Sequence, residues 1–366
     1  MNAIRHQWKR GRRHGRRAGR ADGFRLGRCE GALTHIPETP VNGRDVHVLY
    51  VREGFEAIDS GIEAALRRLV RDVTSVSATE EIAGLATRLR PDLVLVLNAT
   101  RFPVEQADRL RDMGILTAVW FLDDPYRMDW DVQLAAHYDY VFTNEISCVS
   151  PFQEAGSPRV FYLPLAVHPA VYYPRRVEPA YRSDVCFIGT AFANRRAFFD
   201  RLAPYLAGKK VFISGWYWDR LARYGLLKSS IRQDKLREGT WLSAEETAKY
   251  YNGAKIVINL HREDSAEETI NSRGIPALSI NPRTFEISGC GVLQLTDDRE
   301  ELHRMYTGGQ DLVTYRNPED LAAKLDYYLS RDEERLELAV RGLVRTRSRH
   351  TYLHRMAELL FAVWGG

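Results

Sequence analysis

The chain has 366 residues, 45% of them hydrophobic and 11% aromatic, enough for two domains with their own cores. Its net charge of +4 hides an asymmetry: residues 1–28 hold ten of the 52 Lys and Arg but one of the 48 acids, so the remainder is net acidic. No apolar run reaches the ~18 residues of a membrane span, and Cys29, Cys148, Cys186 and Cys290 are too scattered for a CxxC or His/Cys metal site.

Residues 1–40 read as a basic disordered tail, because almost no large apolar residue precedes Phe24 to offset the entropy of ordering. The segment also lacks the apolar centre of a secretory signal. Such a charge block meets an anionic partner (nucleic acid or lipid), or is a solvated extension, or follows from a start codon placed too far upstream.

From Val46 short apolar runs alternate with amphipathic stretches. The pattern predicts strand Val46–Val51, helix Phe55–Val70, a helix around Glu80–Leu89, strand Leu93–Leu97 and helix Ala107–Met113. Strands Leu116–Leu122, Tyr138–Thr143 and Val160–Leu163 follow. Pro164, Pro169, Pro174 and Pro179 then mark a linker, since each resists helix and removes a ladder donor. A second series holds strand Val185–Ile188, a helix near Arg195–Leu206, strand Val211–Ser214 and helix Ala244–Asn252. The last of these is capped by Ser243, with Glu246 at capping-box spacing. Strand Ile256–Leu260, a loop to Ile280, a short helix after Asn281, strands Val292–Leu295 and Leu312–Tyr315, and helices from Pro318, Asp332 and about Thr351 complete the series. Continuous apolar strands separated by helices indicate parallel sheets covered on both faces. The expected fold is α/β, with two Rossmann-like domains facing a cleft. The domains span residues 41–174 and 175–350, and a last helix at 351–366 crosses back to the first.

Four stretches carry candidate chemistry. Asn281-Pro-Arg-Thr-Phe-Glu-Ile-Ser-Gly-Cys-Gly291 sets Arg283 and Glu286 one turn apart. A guanidinium there suits a phosphate, and a carboxylate suits the hydroxyls of a ribose or sugar. Gly289 and Gly291 allow the backbone to approach a ligand or the sheet closely; the plain alternative is a helix-to-strand turn with a surface ion pair. Gly189 ends a strand, and Arg195 and Arg196 open the following helix, a phosphate-site arrangement without the GxGxxG spacing of a dinucleotide fold. Asn259 and His261 stand at the carboxyl end of another strand, before a polar loop. Asp123 and Asp124 end a strand of the first half; adjacent residues point to opposite faces, so at most one of the two faces a site where it would orient or deprotonate an acceptor hydroxyl, the plain alternative being an Asp-Pro turn. Trp216, Tyr217 and Trp218 are aromatic candidates for stacking on a base or sugar. Walker A, HExxH and GxSxG patterns are absent from the sequence.

The 281–291 segment resembles the donor-binding segment of two-domain GT-B glycosyltransferases, and most of all the spore-protein CgeB/YkvP glycosyltransferase-like group. Ser243-Ala-Glu-Glu-Thr-Ala-Lys-Tyr-Tyr-Asn252, Ile256-Val-Ile-Asn-Leu260 and Arg349-His-Thr-Tyr-Leu-His-Arg355 add to the likeness, which is good from about Asp184 onward and fainter over Val46–Pro174. The resemblance implies a nucleotide-sugar donor held mainly by the second domain. Glu286, with Gly291 five positions on, would bind the ribose, and Arg196, seven positions after Gly189, would sit near the diphosphate beside Arg195. Two positions depart from the pattern: Leu278 stands where retaining enzymes carry an earlier glutamate, and Thr190 stands where an arginine usually follows the glycine.

The function expected is therefore that of a cytoplasmic glycosyltransferase needing no metal or cofactor. Gly189, Arg195, Arg196, Asn259, Arg283, Glu286 and Gly291 would bind the donor. Asp123 or Asp124, with His261, would serve catalysis toward a glycan, protein or small-molecule acceptor. A nucleotide-sugar epimerase on the same fold and a non-catalytic nucleotide-sugar-binding scaffold are the alternatives.

Overall fold

A computed structural model describes residue 19 and residues 21–41, 43–232, 241–263 and 268–365. The first half builds a six-stranded parallel sheet from β1 (Arg44–Arg52), β2 (Val70–Ser77), β3 (Leu93–Leu97), β4 (Leu116–Phe121), β5 (Tyr140–Thr143) and β6 (Val160–Tyr162). Their order is β2-β1-β3-β4-β5-β6. β3, Leu-Val-Leu-Val-Leu, is buried along its whole length, as a central strand covered on both faces must be. The second half builds a five-stranded parallel sheet from β7 (Ser183–Ile188), β8 (Val211–Ser214), β9 (Ala254–Asn259), β10 (Leu293–Asp297) and β11 (Val313–Tyr315), in the order β11-β10-β9-β7-β8.

Both sheets thus start in the middle, add their second strand on one side, and add the third and later strands on the other. That is the doubly wound pattern, and its crevice opens beyond the carboxyl ends of the strands where the winding reverses. The reversal falls between β1 and β3 in the first sheet and between β7 and β9 in the second.

Helices cover both faces of each sheet, which yields two apolar layers per domain. The final helix, α14 (Tyr352–Trp364), belongs to the first domain's core: Tyr352, Met356, Leu359 and Leu360 pack with Val48, Ile62 and Trp120. The proline-marked connection is itself buried at Leu163–Val167 and tied to the start of that helix. Val167 N–H donates to His350 O (3.0 Å), and the buried Arg355 donates to Pro164 O (2.8 Å).

Three sequence expectations change. β2, Val-Arg-Asp-Val-Thr-Ser-Val-Ser, is an additional strand at the sheet edge; it pairs with β1 on one side and has too few apolar residues to announce itself. The 1–40 tail reading fails over α1 (residues 21–33), which is helical and docked on the second domain. Arg25 anchors it, donating to Cys290 O (3.2 Å), Gly291 O (3.3 Å), Arg175 O (3.1 Å) and Asn252 Oδ1 (3.1 Å), while Asp22 pairs with Arg182. Residues 1–18 lie outside the described residues. Ser243 caps the helix α9 (Ala244–Gly253) by accepting from Glu246 N–H, but the Glu246 carboxylate turns to Arg232 (2.6 Å) rather than closing a capping box.

Candidate functional site

The crevice of the second domain is floored by Gly189, at the end of β7. A side chain there would put its Cβ 3.1 Å from Arg195 Nη1 and 3.2 Å from Arg283 Nη1, so glycine is what lets two guanidiniums converge on one point. Arg195 comes from α7 (Ala193–Leu206) and is 1% exposed. It donates to Leu260 O (3.0 Å) and Thr190 O (2.9 Å). Burial, reinforced by the charge of Arg283, pulls its pKa well below the ordinary arginine value.

Arg283 comes from the first turn of α10 (Pro282–Gly289). Pro282 supplies a preset φ at the first helical position, and Asn281 caps it by accepting from Thr284 N–H (3.3 Å). Among the described residues neither Arg195 nor Arg283 has a carboxylate partner. Two cations that converge without a directly bonded carboxylate among the described residues, one of them fully buried, are costly unless an anion completes them. Arg262 lies in the same region, its guanidinium between the rings of Tyr126 (4.2 Å) and Phe192 (4.1 Å).

Glu286 follows one turn after Arg283. Burial pushes its carboxyl up to about 7, against the opposing pull of Arg283 and the Tyr172 hydroxyl. It remains partly exposed, an acceptor within a turn of the guanidinium pair. Asn259 is completely buried and committed to the cap of α10, donating to Thr284 Oγ1 (3.0 Å) and accepting from Asn281 Nδ2 (2.9 Å). It positions Arg283 and has no surface left for a ligand.

His261 is 2% exposed. Its Nδ1 lies 2.6 Å from Asp297 Oδ1, and Arg299 Nε holds the other carboxylate oxygen at 3.1 Å. Burial lowers the imidazole pKa, with Asp297 opposing. Burial alone would raise the Asp297 carboxyl, but His261 and Arg299 outweigh it and hold it well below the usual range. The Nε2 of His261 is buried without a hydrogen-bond partner among the described residues.

The structure separates the two adjacent carboxylates of the first domain. Asp123 is partly exposed at the end of β4 and accepts from Asn98 Nδ2 (2.8 Å). Asp124 is 2% exposed, accepts from the Thr143 hydroxyl, and is pushed well above the usual carboxyl range by burial. Asp124 is thus corrected from a catalytic candidate to an internal acid. Beside Asp123 stand residues that the sequence reading missed: Glu53, Asn98, Thr100 and Arg127. Thr100 N–H donates to Glu53 Oε2 (3.3 Å) and Arg127 Nη1 to Thr100 Oγ1 (2.7 Å). Asn98 and Ala99 sit at φ 57° and 49°, left-handed values that side-chain-bearing residues rarely adopt. The available signal was positional: all follow β1, β3 or β4 around the first reversal point.

Gly291 is also corrected. It precedes β10 and so lies at the end of the sheet opposite the crevice, at φ +63°. A Cβ there would come 2.8 Å from Cys29 Sγ on α1, so its role is to admit that helix. Gly289 similarly admits the inter-domain connection, 2.9 Å from Val167 Cγ2. A cavity of about 540 Å³ lies on this rear side under α1, lined by Arg25, Arg175, Arg182 and Lys255, and is separate from the crevice. Trp218 is core, packed on Phe187 and Phe199. Trp216 and Trp241 instead form a stacked pair (5.1 Å) at the mouth of β8, with Tyr217 against Trp216.

The two domains are joined across the crevice by residues 268–280, between β9 and α10. Glu145, at the end of β5 and 2% exposed, accepts from Leu278 N–H (3.1 Å) and Ser279 N–H (3.0 Å). The position where the resemblance expects a glutamate therefore meets one from the other domain through its backbone.

Residues 195–361 match the family model described as glycosyl transferase-like. The chain is 27% identical over 318 residues to the spore protein CgeB of Bacillus subtilis (strain 168), which covers 85% of this chain and 97% of that protein. Among solved structures it is similar to sucrose-phosphate synthase from Thermosynechococcus elongatus (TM-score 0.60, 10% identity, 87% of this chain and 99% of that one). It is also similar to HepE of Anabaena in complex with UDP and glucose (0.56, 11%, 86% and 99%). A putative UDP-N-acetylglucosamine 2-epimerase from Listeria monocytogenes shares the fold as well (0.51, 11%, 87% and 96%). The architecture is that of GT-B glycosyltransferases.

Proposed function

We infer that this chain is a glycosyltransferase that moves a sugar from a nucleoside-diphosphate donor, bound in the second domain, to an acceptor hydroxyl presented from the first. The observation that carries the reading is the convergence of Arg195 and Arg283 on Gly189 with no carboxylate partner of either among the described residues, at the point where the winding of the sheet reverses. Support comes from the glycosyl transferase-like model over residues 195–361 and from the UDP and glucose bound by the similarly folded HepE.

In this reading the guanidinium pair binds the diphosphate and neutralises the charge that develops on it as the glycosidic bond breaks. The two arginines supply that positive charge themselves, so no metal is required. Glu286, as a carboxylate, accepts the ribose hydroxyls. Asp123, oriented by Asn98, accepts the proton of the attacking hydroxyl. His261, held by Asp297, stands at the crevice floor between the two functions. The Trp216–Trp241 pair offers a face for the base. The cytoplasm is the compartment that suits four free, buried cysteines, and among the described residues no helix is long and apolar enough to cross a membrane.

A thermal-shift panel of UDP, GDP, ADP and their glucose conjugates tests the reading, because a ligand of the folded state raises its melting temperature by mass action. One nucleoside diphosphate is expected to raise it, and the effect should vanish in R283A. Absence of a shift with every member of the panel would overturn the donor site. Release of free sugar without acceptor, together with a change of its configuration, would replace transfer by epimerisation.

A further inference from the structure

The start of α7, beside the inferred donor site, already holds an anion of the protein's own. Glu268 Oε2 accepts from Ala193 N–H (2.9 Å), the first amide of the 14-residue α7, where the helix dipole favours an anion. Its Oε1 lies 3.4 Å from Arg196 Nη1, and the pair is about three-quarters screened from solvent, with side-chain exposures of 23% and 24%. Arg262 holds the backbone carbonyl of Glu268. One helix position away, Arg195 and Arg283 converge on Gly189 with no carboxylate of their own among the described residues.

The segment that begins at Glu268 leaves the second domain and is stitched to the first. Ile270 N–H donates to Tyr126 O (2.8 Å), Ser272 N–H and Oγ donate to Asp129 (3.0 and 2.9 Å), and Arg273 pairs with Glu154 (2.7 Å). Ile275 is buried in the first domain's core, and Leu278 and Ser279 end on Glu145. A carboxylate at one end of a cross-domain strap therefore occupies the first amide and one arginine of the same helix that supplies Arg195.

We propose that Glu268 is a resident substitute for a donor phosphate, which a nucleoside diphosphate must displace in order to bind. The proposal rests on the donor site inferred above and adds a competing internal anion to it. Displacement frees the Ala193 amide and Arg196 for a phosphate oxygen, and it releases the near end of the strap that ties the two domains. Donor occupancy is thereby linked to the contacts made by Tyr126 and Asp129 on the acceptor side. Glu268 has no part in transfer itself; it sets how tightly the phosphate is taken.

The test is calorimetric titration of the full chain, wild type, E268Q and E268A, with inorganic pyrophosphate, UDP and uridine. Removing the charge is expected to tighten pyrophosphate and UDP binding about tenfold, the factor that 1.4 kcal/mol represents, and to leave any uridine binding unchanged. Melting temperatures of the free variants check that they fold; the strap keeps its other contacts, so little change is expected. Equal or weaker phosphate binding in both variants would overturn the proposal while leaving the donor site standing. Failure of all three proteins to bind pyrophosphate or UDP would remove the donor site and this proposal together.

Discussion

The two domains share one winding, with the second strand on one side of the first and the rest on the other, yet their crevices carry opposite chemistry. Around the second reversal point stand Arg195, Arg283 and Arg262. Around the first stand the carboxylates Glu53 and Asp123 with Asn98, Thr100 and one arginine, Arg127, in a hydrogen-bonded set in which Asn98 is left-handed. The same backbone topology fixes where a ligand goes in both domains, and the side chains at the strand ends decide which charge it carries. A basic crevice facing an acidic one suits a leaving diphosphate on one side and a hydroxyl that must lose a proton on the other.

Breaking the acidic side is expected to have the largest effect. D123N should lower the rate of nucleoside-diphosphate release in the presence of acceptor by about 100-fold, with donor affinity unchanged by calorimetry. D124N, an isosteric change at a carboxyl buried away from the crevice and held by the Thr143 hydroxyl, should leave that rate within a few-fold. Equal losses in the two variants would erase the distinction between them.

On the basic side, R283A should weaken donor binding by about 30-fold, the scale of one charge-assisted contact, and raised salt should reduce the difference. Unchanged affinity would move the phosphate elsewhere.

Outside both crevices, G291A should destabilise the protein by about 2 kcal/mol, read from denaturant melts, because the new side chain meets Cys29 in a left-handed backbone. Donor affinity should stay the same; a loss there would return Gly291 to the binding site.

The smallest expected effect is a trade of stability for binding at Glu286. Its carboxyl is raised to about 7 in the folded chain, above the ordinary 4.5. Stability is therefore full below about pH 4.5 and declines as pH rises through 7. E286Q should melt higher than wild type at pH 8 and no higher at pH 4, while binding the donor more weakly. A stability gain independent of pH would dismiss the buried charge as its cause.

How far these features could be read in advance depended on the range of the interactions behind them. β3 and β9 were legible because continuous apolar runs need no partner to identify them. β2 was not, since an edge strand of alternating polar residues owes its existence to β1. α1 escaped notice because Arg25 holds it through carbonyls 150 to 266 positions away, which no local composition reveals. At the site, Arg195, Arg283 and Glu286 were individually visible near helix starts, and the meeting of Arg195 and Arg283 over Gly189 is a product of the fold. Asp123 and Asp124 were indistinguishable as neighbours until Thr143 and Asn98 claimed one each. Glu145 and Glu268 gave no signal at all, because Glu145 acts across the crevice on Leu278 and Ser279, and Glu268 on Ala193, 75 positions away in the chain.

The most direct measurement is a crystal structure of the full chain with the nucleoside diphosphate that gives the largest thermal shift. The diphosphate is expected between Arg195 and Arg283 over Gly189, with its ribose at Glu286 and the Glu268 carboxylate moved off the Ala193 amide. A diphosphate bound in the rear cavity beneath α1, or one that touches neither arginine, would contradict the donor site.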